Sequence, residues 1–135
     1  MSQLGKLLEV RVYYEDTDFS GRVYHASYLR FLERGRTEWL RRLGFEHREL
    51  ETSSGVVFAV RSLQIDYFAP ALMDDLLRVE TEISGLRGAS IQFLQRILRD
   101  DQRLVAATVL VAAIRDGRPP RIPDPLRRVL LAHPD

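Results

Sequence analysis

The segment Val12-Tyr13-Tyr14-Glu15-Asp16-Thr17-Asp18-Phe19-Ser20-Gly21-Arg22-Val23-Tyr24-His25-Ala26-Ser27-Tyr28 gathers residue types that can do chemistry. A β-branched and aromatic stretch ends, a carboxylate-rich loop follows, and a helical pattern begins near Ala26. A helix start offers backbone N–H groups without intrahelical acceptors, at the positive end of the helix dipole. Such groups stabilise an oxyanion forming on a carbonyl. Asp18 stands seven residues before His25. From there a carboxylate could face those N–H groups and attack a carbonyl, or activate water to do so. Gly21 would let the chain approach a ligand closely. A plainer reading fits the same residues: Asp16 and Asp18 close Asx turns or cap a short turn. Residue types alone leave both readings open.

Other candidates are weaker. The chain has no cysteine, which excludes disulfides, thiolate nucleophiles and Cys-ligated zinc. Of the three histidines, His47 and His133 are isolated, and no pair has metal-ligand spacing. Ser53-Ser54-Gly55 is not a nucleophile elbow, and no phosphate-binding glycine loop occurs. Glu33 falls within the helical pattern, where Arg30, Arg34 and Arg36 are ready ion-pair partners.

The elements that must position the segment are legible from periodicity. Leu8 to Tyr14 alternates as a strand, followed by a loop from Glu15 to Gly21. Ala26 to Gly44 reads as one long helix: Tyr28, Phe31, Leu32, Gly35, Trp39 and Leu43 recur at spacings of three and four, with Arg30, Arg34, Thr37, Glu38 and Arg41 largely opposite. Glu38 and Arg42 are spaced for an i,i+4 pair. A short irregular piece follows. Strand patterns then cover Val56 to Phe68, Leu76 to Ile83, Ser90 to Arg99 and Leu104 to Ile114. The last is almost wholly apolar, as expected of a strand covered on both faces. Hairpin-length connections predict that these four strands run antiparallel. From Pro119 the chain is proline-rich, with a short closing helix expected at Leu126 to Leu131. One amphipathic helix must bury its stripe against such a sheet. The expected fold is therefore α+β, a curved antiparallel sheet wrapped around one helix.

Bulk properties narrow the function classes. The 135 residues fit a single domain, 1–135, able to bury a core without staples. Twenty Lys and Arg against nineteen Asp and Glu leave a net charge of +1, which gives no reason to invoke nucleic acid. Lys6 is the only lysine, and arginine favours bidentate pairing with carboxylates or phosphates. No secretory leader or transmembrane segment is apparent, so the expected compartment is the cytoplasm.

The segment from Tyr14 to Arg34, Tyr-Glu-Asp-Thr-Asp-Phe-Ser-Gly-Arg-Val-Tyr-His-Ala-Ser-Tyr-Leu-Arg-Phe-Leu-Glu-Arg, resembles the signature of the 4-hydroxybenzoyl-CoA thioesterase family. More narrowly, it is similar to the acyl-CoA thioesterases encoded beside the bacterial Tol-Pal envelope system. Gly44-Phe45-Glu46-His47-Arg48, Asp66-Tyr67-Phe68-Ala69-Pro70-Ala71, Arg87-Gly88-Ala89-Ser90 and Pro120-Arg121-Ile122-Pro123 extend the similarity over nearly the whole chain.

The resemblance implies a hot-dog fold with a five-stranded sheet. It also implies a homodimer joined sheet edge to sheet edge, with two dimers pairing into a homotetramer in many members, and active sites at the subunit interface. Its expected reaction is hydrolysis of an acyl-CoA, or of an acyl group on acyl carrier protein, with no metal or redox cofactor. Carried over by position, Asp18 matches the family's catalytic aspartate, as nucleophile or general base. His25 matches the residue whose backbone N–H polarises the thioester carbonyl, its ring acting directly or by orienting the loop. Gly21 and Tyr24 are expected to shape the turn and the acyl pocket, and Asp16 to be structural. Arg87 and Ser90 fall where some relatives contact the nucleotide end of CoA. Phe19, Ser20 and Arg22 stand where some members carry small or apolar residues, so Phe19 could narrow the acyl site. Two rival functions are an enoyl-CoA hydratase, whose Asp and His are usually five apart rather than seven, and a non-catalytic module binding acyl carrier protein or the envelope.

Overall fold

The structure, a computed structural model, describes residues 7–132. Lys6 and His133 lie outside the described residues, as does the side chain of His47. The elements run β1 (Leu7–Arg11), a single 3-10 turn (Tyr14–Asp16), α1 (His25–Arg42), α2 (His47–Ser54), β2 (Val57–Tyr67), β3 (Leu76–Arg87), β4 (Ser90–Arg99), β5 (Gln102–Ile114) and α3 (Asp124–Ala132). The five strands form one sheet in the order β1-β3-β4-β5-β2, and every pairing is antiparallel. With α1 against one face, this is the hot-dog architecture that the resemblance implied.

The inward residues of the sheet follow from strand alternation. Leu77, Val79, Thr81 and Ile83 of β3, Ile91, Phe93, Gln95 and Ile97 of β4, and Val105 to Ala113 on alternate positions of β5 are buried under α1. The helix meets them with Tyr28, Phe31, Leu32, Trp39 and Leu40. Trp39 sets its edge on Phe93 with ring centroids 5.7 Å apart. Gly35 lets the two layers close: a Cβ there would stand 2.7 Å from Val79 Cγ1 and 3.0 Å from Thr81 Oγ1.

Several expectations need correction. β2 does not lie beside β3. It crosses over to pair with β5 at the sheet edge, so only β3, β4 and β5 are joined as successive hairpins. The outward residues of β5 are half-buried rather than covered, because the described chain has one helical layer. The first strand stops at Arg11, since Asp16 pulls the chain into a 3-10 turn by accepting from the Tyr13 N–H. The piece after α1 contains helix α2, which buries Leu50 and ends at Gly55 in the left-handed region, φ 72°. Glu38 meets Arg41 at 3.8 Å, while Arg42 donates to the Leu7 carbonyl.

Candidate functional site

The loop between β1 and α1 is held as a small hairpin. Thr17 and Val23 bridge antiparallel, the Asp18 N–H donates to the Arg22 carbonyl at 2.9 Å, and the Gly21 N–H donates to the Asp18 carbonyl at 3.1 Å. Gly21 takes φ +80°, and a Cβ there would meet nothing within 4 Å, so glycine serves the turn's conformation rather than close packing. The hairpin base is tied at both ends: Val12 exchanges hydrogen bonds with the 74–75 segment, and Val23 donates to the Ala71 carbonyl at 2.9 Å. Asp16 is the buried carboxylate of the loop. It accepts from the Tyr13 N–H at 2.9 Å and pairs with Arg30 at 3.4 Å, and its backbone carbonyl accepts from the Tyr24 N–H.

Asp18 is the exposed carboxylate at the hairpin tip. Its Oδ1 accepts from the Ser20 N–H at 2.8 Å and from Ser20 Oγ at 2.6 Å, an Asx turn reinforced by a hydroxyl. These two bonds, the hydroxyl first, hold its carboxyl below the ordinary 3.8; slight desolvation opposes them, and Arg22 assists. Asp18 is therefore ionised at neutral pH, with its second oxygen available. The two sequence readings turn out to be compatible: the Asx turn fixes the side chain without consuming it.

Asp18 and His25 line one cleft of about 610 Å³, together with Tyr24, Tyr28, Tyr67 and Phe68 among others. Helix α1 opens this cleft at its N-terminus. Its N-cap, Tyr24, makes no side-chain capping bond and takes the Ser27 N–H on its carbonyl at 2.8 Å, so the His25 and Ala26 N–H groups are the ones that keep the donor capacity of an uncapped helix start. The far wall is the turn after β2. It is pinned by the Ala71 N–H donating to Tyr28 Oη at 2.9 Å and by Arg99, which pairs with Asp75 at 2.6 Å.

The imidazole of His25 is stacked on Tyr67, with ring centroids 4.5 Å apart and planes 25° apart. Tyr67 in turn is tilted against Tyr28 at 5.4 Å, and burial raises the pKa of both phenols, keeping them neutral. Sequence reasoning missed Ser20 and Tyr67 as parts of the site. Ser20 had a signal in the Asp-x-Ser spacing of an Asx turn, whereas Tyr67 reaches His25 only through the crossover of β2.

Of the other candidates, Tyr24 lines the cleft and Gly21 sets the turn beside it. Arg22 is exposed on the cleft rim, and Phe19 is fully exposed, so neither narrows the cleft within one chain. Arg87 and Ser90 are not brought to the cleft. They flank the β3–β4 turn at the far end of β3, about 35 Å along the strand from its cleft end. Among the described residues, no three His, Asp or Glu side chains gather as metal ligands. A larger cleft of about 750 Å³ lies between α2 and α3 at the other end of α1; it contains Ser53 and Ser54 but none of Asp18, Gly21, Tyr24, His25, Arg87 and Ser90.

A five-stranded antiparallel sheet around one helix, with a carboxylate hairpin facing the helix start, places the chain in the hot-dog class. The chain belongs to the thioesterase-like superfamily, whose family model matches residues 12–130. It is 52% identical over 109 residues to the acyl-CoA thioesterase YbgC of Haemophilus influenzae, covering 81% of this chain and 80% of that protein. It is 49% identical over 106 residues to the acyl-CoA thioester hydrolase YbgC of Escherichia coli, covering 78% of each. A crystal structure of a probable thioesterase from Bartonella henselae superposes with a TM-score of 0.84 at 45% identity, covering 87% of this chain and 98% of that one.

Proposed function

We propose that this chain is an acyl-CoA thioesterase in which Asp18 is the catalytic carboxylate. The reading rests on one observation: an ionised, anchored carboxylate and an uncapped helix start share a cleft, in a chain about half identical to acyl-CoA thioesterases. The thioester carbonyl oxygen lies toward the N–H groups at His25, where negative charge developing on it is stabilised. Asp18 then acts from the opposite side. As general base it takes a proton from water while the water oxygen bonds to the carbonyl carbon; the C–S bond breaks and the thiolate of CoA is protonated. As nucleophile its oxygen bonds to the carbonyl carbon while the C–S bond breaks and CoA leaves as the thiolate; water then opens the acyl-aspartyl anhydride to the acid and free Asp18, its proton going to the thiolate. Oxygen from labelled water found in Asp18 after a single turnover would identify the second route.

The active form is a homodimer, itself able to pair into a homotetramer, joined along β2. That strand is an edge with one side unpaired, and Val60 and Leu63 are exposed on its helix-side face. A two-fold rotation about mid-β2 carries the Arg87–Ser90 turn of a second copy toward the end of the sheet where Asp18 stands. Arg87 and Ser90 would then serve the phosphates of CoA bound at the first copy's cleft. The compartment is the cytoplasm, and no described helix is long and apolar enough to cross a membrane.

A thiol-release assay over a panel of acyl-CoAs and acyl–acyl carrier proteins tests the function, with Asp18→Asn as control. Hydrolysis that falls with the substitution supports the reading. Full hydrolysis by Asp18→Asn defeats the site, and no thiol release from any substrate favours the binding-module alternative. Hydration of an enoyl-CoA without thiol release would favour the hydratase.

A further inference from the structure

Arg36 is a buried cation on the inner side of α1, with 9% of its surface exposed. Its hydrogen-bond partner is neutral: Nη1 donates to Gln95 Oε1 at 3.0 Å, while Gln95 spends its own amide on the Leu32 carbonyl and Thr81. A guanidinium has five donors, and desolvating its charge is costly: burial lowers the Arg36 pKa, and Glu33 of the same chain offsets this only in part. Among the described residues, no carboxylate lies within ion-pair distance of it. The neighbouring arginines are engaged elsewhere: Arg30 pairs with Asp16, and Arg34 lies over the Phe31 ring.

The guanidinium faces an open groove of about 300 Å³ between α1 and the free edge, lined by Leu29, Leu32, Glu33, Val60, Leu63 and Val109 besides Arg30. Leu29, Val60 and Leu63 are 40%, 51% and 37% exposed. Glu33 sits one turn before Arg36 on the same rim and is exposed, with no ion pair among the described residues. The groove thus carries an anion and a cation three residues apart, the anion acting on the cation through space without a close ion pair, beside an apolar floor.

A symmetric interface sets a surface patch against its own copy. β2 spans Val57–Tyr67, so an axis through its middle passes level with Val60 and Leu63, which face the Glu33–Arg36 turn of α1. Two such turns meeting in opposite directions bring each Glu33 toward the other copy's Arg36. We infer that Glu33 of a second copy of this chain completes Arg36, forming two symmetric ion pairs that lock the apolar groove shut. The inference rests on the dimer proposed above and assigns its specificity to one residue pair.

Sedimentation equilibrium of the full chain, alongside Glu33→Gln, Glu33→Arg and the exchange Glu33→Arg with Arg36→Glu, tests it. Glu33 is exposed in the single chain, so its substitutions should leave the protomer fold intact, as circular dichroism would verify. Loss of one partner of a desolvated charge pair weakens association roughly 30-fold or more. Both single variants should therefore dimerise more weakly, Glu33→Arg most, and a folded exchange variant should regain most of the affinity. If the wild type dimerises and both Glu33 variants dimerise equally tightly, or if a folded exchange variant recovers nothing, the pair is wrong while the dimer stands. If the exchange variant does not fold, the two single variants decide. A wild type that stays monomeric at every concentration overturns the dimer and the pair together.

Discussion

Asp18 and Asp16 show how two carboxylates two residues apart acquire different tasks. Asp16 is buried, and both its oxygens are engaged in holding the loop; Asp18 is exposed, with one oxygen held by Ser20 and the other available. Asp18→Asn keeps the size and much of the turn geometry but removes the charge. It should lower kcat by about 100-fold or more, while the melting temperature, followed by circular dichroism, stays close to wild type. Ser20 shifts the titration of Asp18: its hydroxyl is the largest cause of the lowered pKa, so the carboxyl gives up its proton at lower pH than an ordinary aspartate does. Ser20→Ala removes that bond and leaves the backbone one. The carboxyl should then titrate at higher pH than in the wild type, moving back toward 3.8, as a carbon-13 titration of the Asp18 carboxyl would record. The sign is fixed: a depressed carboxylate favours the fold above its unfolded pKa and loses that contribution as pH falls through the folded one. A titration midpoint unchanged by Ser20→Ala would remove Ser20 from the site.

At the scale of elements, the contact between α1 and the sheet decides where the helix start points. Gly35 marks a close approach: a Cβ there would stand 2.7 Å from Val79 Cγ1. Gly35→Ala gains about 1 kcal/mol of helix propensity but overpacks a filled layer, at about 1–3 kcal/mol. Val79, Thr81 and Gln95 all crowd the position, so the net effect should be destabilising by about 1–2 kcal/mol, measured by urea denaturation. A more stable Gly35→Ala would show that the layers have slack. The same contact explains what was legible beforehand. The helix stripe of Tyr28, Phe31, Leu32, Gly35 and Trp39 and the alternation in β3 and β4 are period signals, and burial follows them. Arg36 escaped because charge predicts exposure, whereas here it is packed between α1 and the sheet with its guanidinium on Gln95. α2 escaped because His47–Ser54 has only Leu50 to bury, and its clearest mark was Gly55 as a stop. The crossover of β2 to the edge escaped because period-two patterning states that a strand has two faces, not which strand lies beside it. Asp18 was legible as a candidate from its place before a helix start. Tyr67 was not, since its approach to His25 depends on that crossover.

At the scale of the whole molecule, the question is whether one chain can hold a complete site. Asp18 and His25 share a cleft, but Arg87 and Ser90 stand at the opposite end of the sheet. A two-fold axis through β2 would exchange those ends. Each cleft would then draw its carboxylate from one copy and its phosphate-binding turn from the other. Complementation distinguishes this from a self-contained site. Asp18→Asn alone should be nearly inactive, and Arg87→Ala alone should raise KM with kcat largely retained, because a phosphate contact far from the reacting carbonyl contributes mainly to binding. In a mixed dimer of the two variants built across the axis, one cleft carries both substitutions and the other carries neither. Refolding the two variants together should therefore restore a component with wild-type KM that neither has alone. If Arg87 instead serves the cleft of its own chain, the mixed dimer holds one cleft without Asp18 and one without Arg87, and no wild-type component returns. The kinetics of the mixture thus read the symmetry of the assembly directly from the chemistry at Asp18.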